Sequence, residues 1–399
     1  MSVSRRAFLS AAGATITVPT VAFTRRQALT PPSSGSLDPW IEVNAAHLAH
    51  NAAEVARLTG RPILAVIKNN GYGLGVEPVA RVLAAQPGVS SLAVIKVDEA
   101  LRLRDAGVSA PLVLMGPVPP DAYDLLLARD IQPMVYTPVG DALARAAART
   151  GRPARVQLCV DAGLGRVGVP YREAVALGRD LADRGGIELA GTMMTFTEDE
   201  AFDREVLTRF LSVVDGLRAA GVDPGRRHAA SSYTLFQLGA EAHLDMVRTG
   251  MVLFGVYPAQ AFRAAGRMDL RPAVALRARV AYVKKIEAGE SAGYERAYRA
   301  TRDTWIATLP VGHGDGWPRA AARGARVRIN GRHFPVIASV SASHTLVELG
   351  DTPAAAIGDV ATMFDWEEGS RPEDVSAACG ASVYDLLMHL GALVPRRVV

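Results

Sequence analysis

From Trp40 to about Arg267 the chain alternates short apolar runs with longer amphipathic stretches. The apolar runs include Leu64–Ile67, Leu92–Ile95, Leu112–Met115, Val156–Val160 and Leu189–Met193. They are brief and almost free of polar residues, which is how strands buried on both faces read. Between them lie Ala- and Arg-rich stretches of helical period such as Glu77–Ala85, Asp98–Ala106 and Asp141–Thr150. This alternation predicts βα units with parallel strands. The number of units fits a closed (α/β)8 TIM-like barrel better than an open sheet, although periodicity alone leaves the open sheet available. After Leu270 the texture changes to alternating strands at Val274–Val283, Thr304–Leu309, Arg326–Ile329, Phe334–Val340 and Thr345–Leu349. Gly and Asn turns separate them, and Asn330-Gly331 is a strong hairpin signal. The expected fold is therefore α/β, with an N-terminal barrel over residues 40–269 and a mostly β C-terminal domain over 270–399.

The first residues follow neither pattern. Ser4-Arg5-Arg6-Ala7-Phe8-Leu9 is a twin-arginine signature, and an apolar stretch from Ala11 to Phe23 follows it. The stretch is too short and mild for a stable membrane span. It predicts a Tat-type signal peptide over residues 1–28 and a Pro/Ser-rich linker over 29–39, with export to the periplasm or beyond. Composition is that of a globular protein, with 49% hydrophobic and 21% charged residues over a length of 399, enough for two cores. The net charge of +4 comes from scattered arginines without a Lys/Arg run, so no nucleic-acid partner is expected. The only two cysteines, Cys159 and Cys379, fall in different predicted domains and read as buried free thiols.

The segment Ile63-Leu64-Ala65-Val66-Ile67-Lys68-Asn69-Asn70-Gly71-Tyr72-Gly73-Leu74-Gly75 carries the most chemistry. A lysine at the end of a buried strand points into a partly dry pocket, and desolvation makes its amine a better nucleophile and base. A Schiff-base lysine for pyridoxal phosphate (PLP) needs this environment. The glycines that follow let backbone N–H groups approach a phosphate. By itself the segment also fits a snorkelling lysine before an ordinary turn. Arg166 and Arg248 likewise follow strand-like runs, as functional residues of a barrel should.

The segment resembles the cofactor-lysine motif of the alanine racemase family, and further blocks follow in family order. They are Trp40-Ile41-Glu42-Val43-Asn44 with Asn51, Val160-Asp161-Ala162-Gly163-Leu164-Gly165-Arg166-Val167-Gly168, and Met246-Val247-Arg248-Thr249-Gly250-Met251. Then come Leu270-Arg271-Pro272-Ala273-Val274, Gly289-Glu290-Ser291-Ala292-Gly293-Tyr294, Gly314-Asp315-Gly316-Trp317-Pro318-Arg319, Tyr384-Asp385-Leu386-Leu387 and Arg396.

The resemblance implies a PLP-dependent amino-acid racemase working by two-base proton transfer at Cα. Lys68 is the implied Schiff-base lysine and the base on one face. Tyr294 is the implied base on the other face, entering from a partner subunit, so a homodimer with shared sites is expected. Tyr72, Ser232, Gly250, Met251 and Tyr384 are the implied phosphate cradle. Arg248 is implied to face the pyridine nitrogen. A guanidinium only donates, so that nitrogen stays unprotonated, which favours racemisation over transamination. Arg166 is implied to bridge the cofactor's phenolic oxygen and the substrate carboxylate.

The chain departs from the family pattern where the substrate would sit. Thr195 stands in place of a histidine in Gly191-Thr192-Met193-Met194-Thr195-Phe196. Ala342-Ser343 replaces a Met-Asp pair, His313 replaces a tyrosine, and Cys159 replaces a lysine that often carries a carbamate. These changes predict a wider, less acidic site that accepts amino acids larger than alanine, with Ala342, Ser343 and His313 beside the substrate and Thr195 beside the cofactor. Two other readings stand next to this one. One is a degenerate or non-racemase PLP-binding homologue. The other is a PLP lyase or aldolase on the same scaffold; it would want a metal near His313, Asp315 or His344, and the sequence offers no tight metal-ligand cluster.

Overall fold

A computed structural model describes residues 38–399. The expected signal peptide, residues 1–28, and the expected linker up to residue 37 lie outside the described residues. Eight parallel strands form the barrel path of the first sheet, in the order Val247–Thr249, Ile63–Val66, Val89–Val94, Leu112–Leu114, Ile131–Val135, Ala154–Asp161, Ile187–Met193 and Arg226–His228, and a ninth, Val169–Pro170, pairs with Ala154–Asp161 off that path. A single parallel bridge between His228 and Met246 brings the ends together, giving a nearly closed barrel. Helices such as Val76–Ala84, Val97–Asp105 and Gly140–Thr150 alternate with the strands, as the period of their apolar positions predicts. The first helix, Ala45–Thr59, starts at Asn44, whose side chain accepts from the His47 N–H, and ends at Gly60 with φ 60°.

The second sheet has nine strands, in the order Tyr282–Ile286, Thr304–Leu309, Thr345–Gly350, Arg332–Ile337, Arg326–Ile329, Val360–Phe364, Val274–Arg279, Trp40–Val43 and Arg396–Val398. Two expectations change here. Trp40–Val43, assigned by the sequence to the barrel segment, pairs antiparallel with Val274–Arg279 and parallel with Arg396–Val398 in the second sheet. The run Val274–Val283 is two strands. At Val280 and Ala281 the backbone changes partners, with Val280 N–H donating to Asp359 O and Ala281 N–H to Thr308 O. The Asn330-Gly331 hairpin forms with φ 50° and 73° at its two central residues, as a primed turn requires. Two helices, Pro372–Cys379 and Val383–Met388, interrupt the β domain.

Buried Asn51 fastens the domain junction. Its side chain donates to Leu253 O (3.1 Å) and Arg271 O (2.8 Å) and accepts from the Arg271 N–H (2.8 Å), so one amide satisfies three backbone groups that water cannot reach. Cys159 and Cys379 are free and buried. Among the described residues, no helix is long and apolar enough to cross a membrane.

Candidate active site

The C-terminal ends of the barrel strands open into a cleft of about 440 Å³, within the range of small-molecule sites. Lys68, Tyr72, Arg166, Thr195, Ser232, Arg248, Gly250, Met251 and Tyr384 all line it. Eight come from the barrel: Arg248 from the strand Val247–Thr249 itself, the others from turns and loops that follow strands. Tyr384 comes from the helix Val383–Met388, so the β domain of the same chain contributes to the wall.

Lys68 follows Ile63–Val66 by two residues and opens a turn of unusual hand. Asn69, Asn70, Gly71 and Tyr72 have φ of 53°, 56°, 62° and 51°. Left-handed backbone costs about 1–2 kcal/mol for each L-residue, and Asn and Gly are the residues that best tolerate it. Glu99 holds the turn: it accepts the Asn70 N–H at 2.6 Å and the Ile95 and Lys96 N–H groups at 3.2 Å. The Asn70 side chain accepts from the Val76 N–H (3.1 Å). From the far side, Arg396 donates to Gly73 O (2.8 Å) and to Gly391 O (2.7 Å). Desolvation, then Arg166 and Arg248, hold the Lys68 amine below the ordinary lysine range, with Glu99 acting in the opposite sense.

At one end of the cleft sit hydroxyls and backbone N–H groups. Ser232 Oγ accepts from the Gly250 N–H (3.1 Å) and the Val252 N–H (3.4 Å). The Tyr72 ring packs on Phe254 at 4.9 Å and stands 6.5 Å from Tyr384. A Cβ at position 250 would come within 2.2 Å of the Tyr72 hydroxyl, so glycine is required there. At the other end lies Arg248, buried and donating to Met194 O (2.7 Å), Thr195 Oγ1 (3.0 Å) and His228 O (3.2 Å). Its Nη1 lies 3.1 Å from His228 Nδ1. An arginine can only donate, so Nδ1 accepts and Nε2 bears the proton, which is given to Gln157 Oε1 (3.0 Å); Gln157 in turn donates to Gln132 Oε1 (2.8 Å). Burial and Arg248 hold His228 well below its ordinary pKa, so it is neutral. Desolvation lowers Arg248 to about 10, still protonated at neutral pH.

Arg166 sits exposed at the mouth, on a loop folded around Asp161, whose side chain accepts the N–H groups of Gly163 (3.0 Å) and Gly165 (3.1 Å). Cys159 lines the cleft nearby, with Sγ 3.7 Å from Val167 O. Burial pushes its thiol up to about 11, so it contributes no charge there.

The four remaining predicted positions, Tyr294, His313, Ala342 and Ser343, lie on the β domain and do not line their own chain's cleft. Tyr294 is 74% exposed. Its turn carries left-handed φ at Glu295 (57°) and Arg296 (54°). His313 and Ala342 are brought together: the His313 N–H donates to Ser341 O and the Gly314 N–H to Ala342 O, both at 2.9 Å. The His313 ring is 3.1 Å from Arg319 Nη2. Among the described residues, no three His, Cys, Asp or Glu side chains gather as a metal site, and His313, Asp315 and His344 form no such cluster.

Sequence reasoning missed Glu99, His228, Gln157 and Glu198. The first was visible in principle, as an acidic residue three positions after Lys96 at a helix start. The others act through partners on distant strands or on a folded loop.

The cleft passes a geometric test for PLP. It has a desolvated lysine at the centre, hydroxyl and N–H donors at one end, and a fixed cation at the other. The family models for the alanine racemase N-terminal domain and C-terminal domain match residues 43–258 and 273–398. The alanine racemase of Symbiobacterium thermophilum is 36% identical over 90% of this chain and 96% of its own length. That of Desulforamulus reducens is 33% identical over 90% and 98%. Among solved structures, alanine racemase from D-cycloserine-producing Streptomyces lavendulae superimposes with a TM-score of 0.84 at 30% identity, over 92% of this chain and 98% of that one. The Clostridium difficile 630 alanine racemase gives 0.86 at 27% identity, over 92% and 97%.

Proposed function

This chain belongs to the alanine racemase family and is a PLP-dependent racemase, and from that premise we propose that it acts on amino acids larger than alanine, in a homodimer whose two sites each borrow a tyrosine from the other copy. One observation supports the reading above all. The residues matched to cofactor binding converge in one cleft, whereas those matched to the second base and the substrate pocket stand exposed on the β domain.

The cofactor, when bound, withdraws electron density from the Cα–H bond of the substrate. Lys68 holds it through the side-chain amine. Tyr72, Ser232, Tyr384 and the Met251 N–H would take the phosphate, whereas the Gly250 N–H is already given to Ser232 Oγ and orients that hydroxyl. Arg248 would meet the ring nitrogen as a permanent donor, which would keep that nitrogen unprotonated. His228 and Thr195 keep that guanidinium in place. Arg166, at the mouth, pairs with the substrate carboxylate.

Racemisation requires proton exchange on both faces of Cα. Lys68 serves one face, helped by an environment that disfavours its protonated form. Tyr294 of the partner subunit serves the other. Thr195 gives Arg248 a hydroxyl acceptor where the family has an imidazole, so the second base lacks its usual link to the ring arginine. Ala342 and Ser343 add neither bulk nor charge beside the substrate, which supports the wider range. Hydrogen–deuterium exchange at Cα over a panel of L-amino acids tests the reading; strong preference for alanine over every larger substrate refutes it. The twin-arginine start supports export of the folded, loaded protein to the periplasm or beyond. Cell fractionation of an Arg5→Lys/Arg6→Lys variant should leave the enzyme in the cytoplasm.

A further inference from the structure

The cleft interior is cationic, yet a carboxylate stands at its rim. Lys68, Arg166 and Arg248 line the cavity, and Glu198 is the one acidic residue among the described lining residues. Its backbone has φ 71°, a left-handed conformation that glutamate does not favour. Asp203, wholly buried in the first turn of the helix Glu200–Ala219, imposes it. Asp203 accepts the Thr197 N–H and hydroxyl, both at 2.7 Å, and the Glu198 N–H at 3.0 Å. A strained residue fixed by a buried anchor is a place where side-chain direction has been specified.

That direction is into the mouth. Glu198 is exposed at the rim and shares the cleft wall with Tyr384. Its carboxylate takes no hydrogen bond or ion pair from any described residue. Burial and the neighbouring Asp203 push this carboxyl above its ordinary range, so an arriving cation relieves an unfavourable charge. Arg166, exposed at the mouth, takes the α-carboxylate of an amino acid, so a long side chain starts at the mouth and has the rim where Glu198 stands to run along.

We propose that Glu198 is a specificity-determining residue that favours amino acids whose side chains end in a cation, the class of lysine, ornithine and arginine. The inference rests on the larger-substrate reading above and names the class within it. A neutral side chain of the same length gains nothing from the carboxylate, and an acidic one meets like charge.

The test uses the PLP-loaded enzyme and two pairs of matched substrates, L-lysine against L-norleucine and L-arginine against L-citrulline, with L-alanine alongside. The native enzyme should favour the cationic member of each pair. Glu198→Gln should lower kcat/KM for L-lysine about tenfold more than for L-norleucine, mostly through KM, as loss of a charge-assisted contact made equally in the ground and transition states requires. Calorimetric titration with the α-methyl derivatives of lysine and norleucine, which have no transferable hydrogen, should show the same difference in Kd. Equal losses for both substrates on Glu198→Gln, or no preference for lysine over norleucine in the native enzyme, would overturn the proposal. If only alanine turns over, the larger-substrate reading falls with it. If norleucine and citrulline turn over as well as their charged partners, that reading stands and the role of Glu198 alone is lost.

Discussion

In the barrel cleft, functional side chains are held by other side chains: Arg248 by His228 and Thr195, His228 by Gln157, and the turn after Lys68 by Glu99. On the β-domain face, side chains such as Asp315, Ser341 and Thr345 also bond backbone groups, and the loops are in addition packed too closely for a Cβ. A Cβ on Gly312 would come within 2.3 Å of Ser341 O, and one on Gly293 within 2.6 Å of the Ala338 methyl. Tyr294, His313, Ala342 and Ser343 thus project from a surface whose shape does not depend on them. His313, Ala342 and Ser343 can change without unfolding anything, whereas in the cleft Thr195 still supplies an acceptor to Arg248 and Cys159 stays neutral and buried.

The sharpest way to break this contrast is to disable both regions and mix the products. Lys68→Ala should abolish turnover and the cofactor's visible absorbance. Tyr294→Phe should cost about 10²–10⁴-fold in kcat with the absorbance retained. Each heterodimer formed on co-refolding the two variants should have roughly half the native activity, since one of its two sites pairs the intact lysine with the intact tyrosine, so a random mixture recovers about a quarter. No recovery would place both groups in one chain. Next, Gly250→Ala drives a methyl into the Tyr72 hydroxyl and should destabilise the fold by about 1–3 kcal/mol while weakening cofactor retention; equilibrium dialysis and urea melts report both. A substitution on the face, Ser343→Ala, should leave stability within about 0.5 kcal/mol.

Acid should act on the cleft through His228. His228 titrates below its ordinary range in the folded protein. Between that lowered pKa and about 6.5 the unfolded chain therefore binds the extra proton, and stability falls as pH falls. Calorimetric scans should show Tm dropping across this window, and His228→Asn should flatten the slope. The smallest effect belongs to the face: His313→Tyr should shift kcat/KM toward alanine over larger substrates by about tenfold or less.

Much of this was legible in the sequence, for identifiable reasons. Thr304–Leu309 and Arg326–Ile329 form over the residues their alternation marks. Ile63–Val66 and Leu112–Leu114 are wholly apolar, Val89–Val94, Ile131–Val135, Ala154–Asp161 and Ile187–Met193 carry apolar runs with polar residues among them, and Arg226–His228 and Val247–Thr249 are short and take their strand character from neighbours. Trp40–Val43 reads as a strand, but nothing local states which sheet it joins. Lys68, Arg166 and Arg248 stood out because each follows a strand-like run. Glu198 did not, because its direction depends on Asp203, five residues on and inside a helix, closing the loop beneath it.

The grip of Arg396 has one more consequence. The same guanidinium binds Gly73 O, at the end of the left-handed turn, and the carbonyls of Gly391 and Val394. Anything that steadies the turn must also quiet the Leu390–Val394 loop on the opposite domain. Loading the apoenzyme should therefore slow amide hydrogen exchange in a stretch that never meets the vitamin.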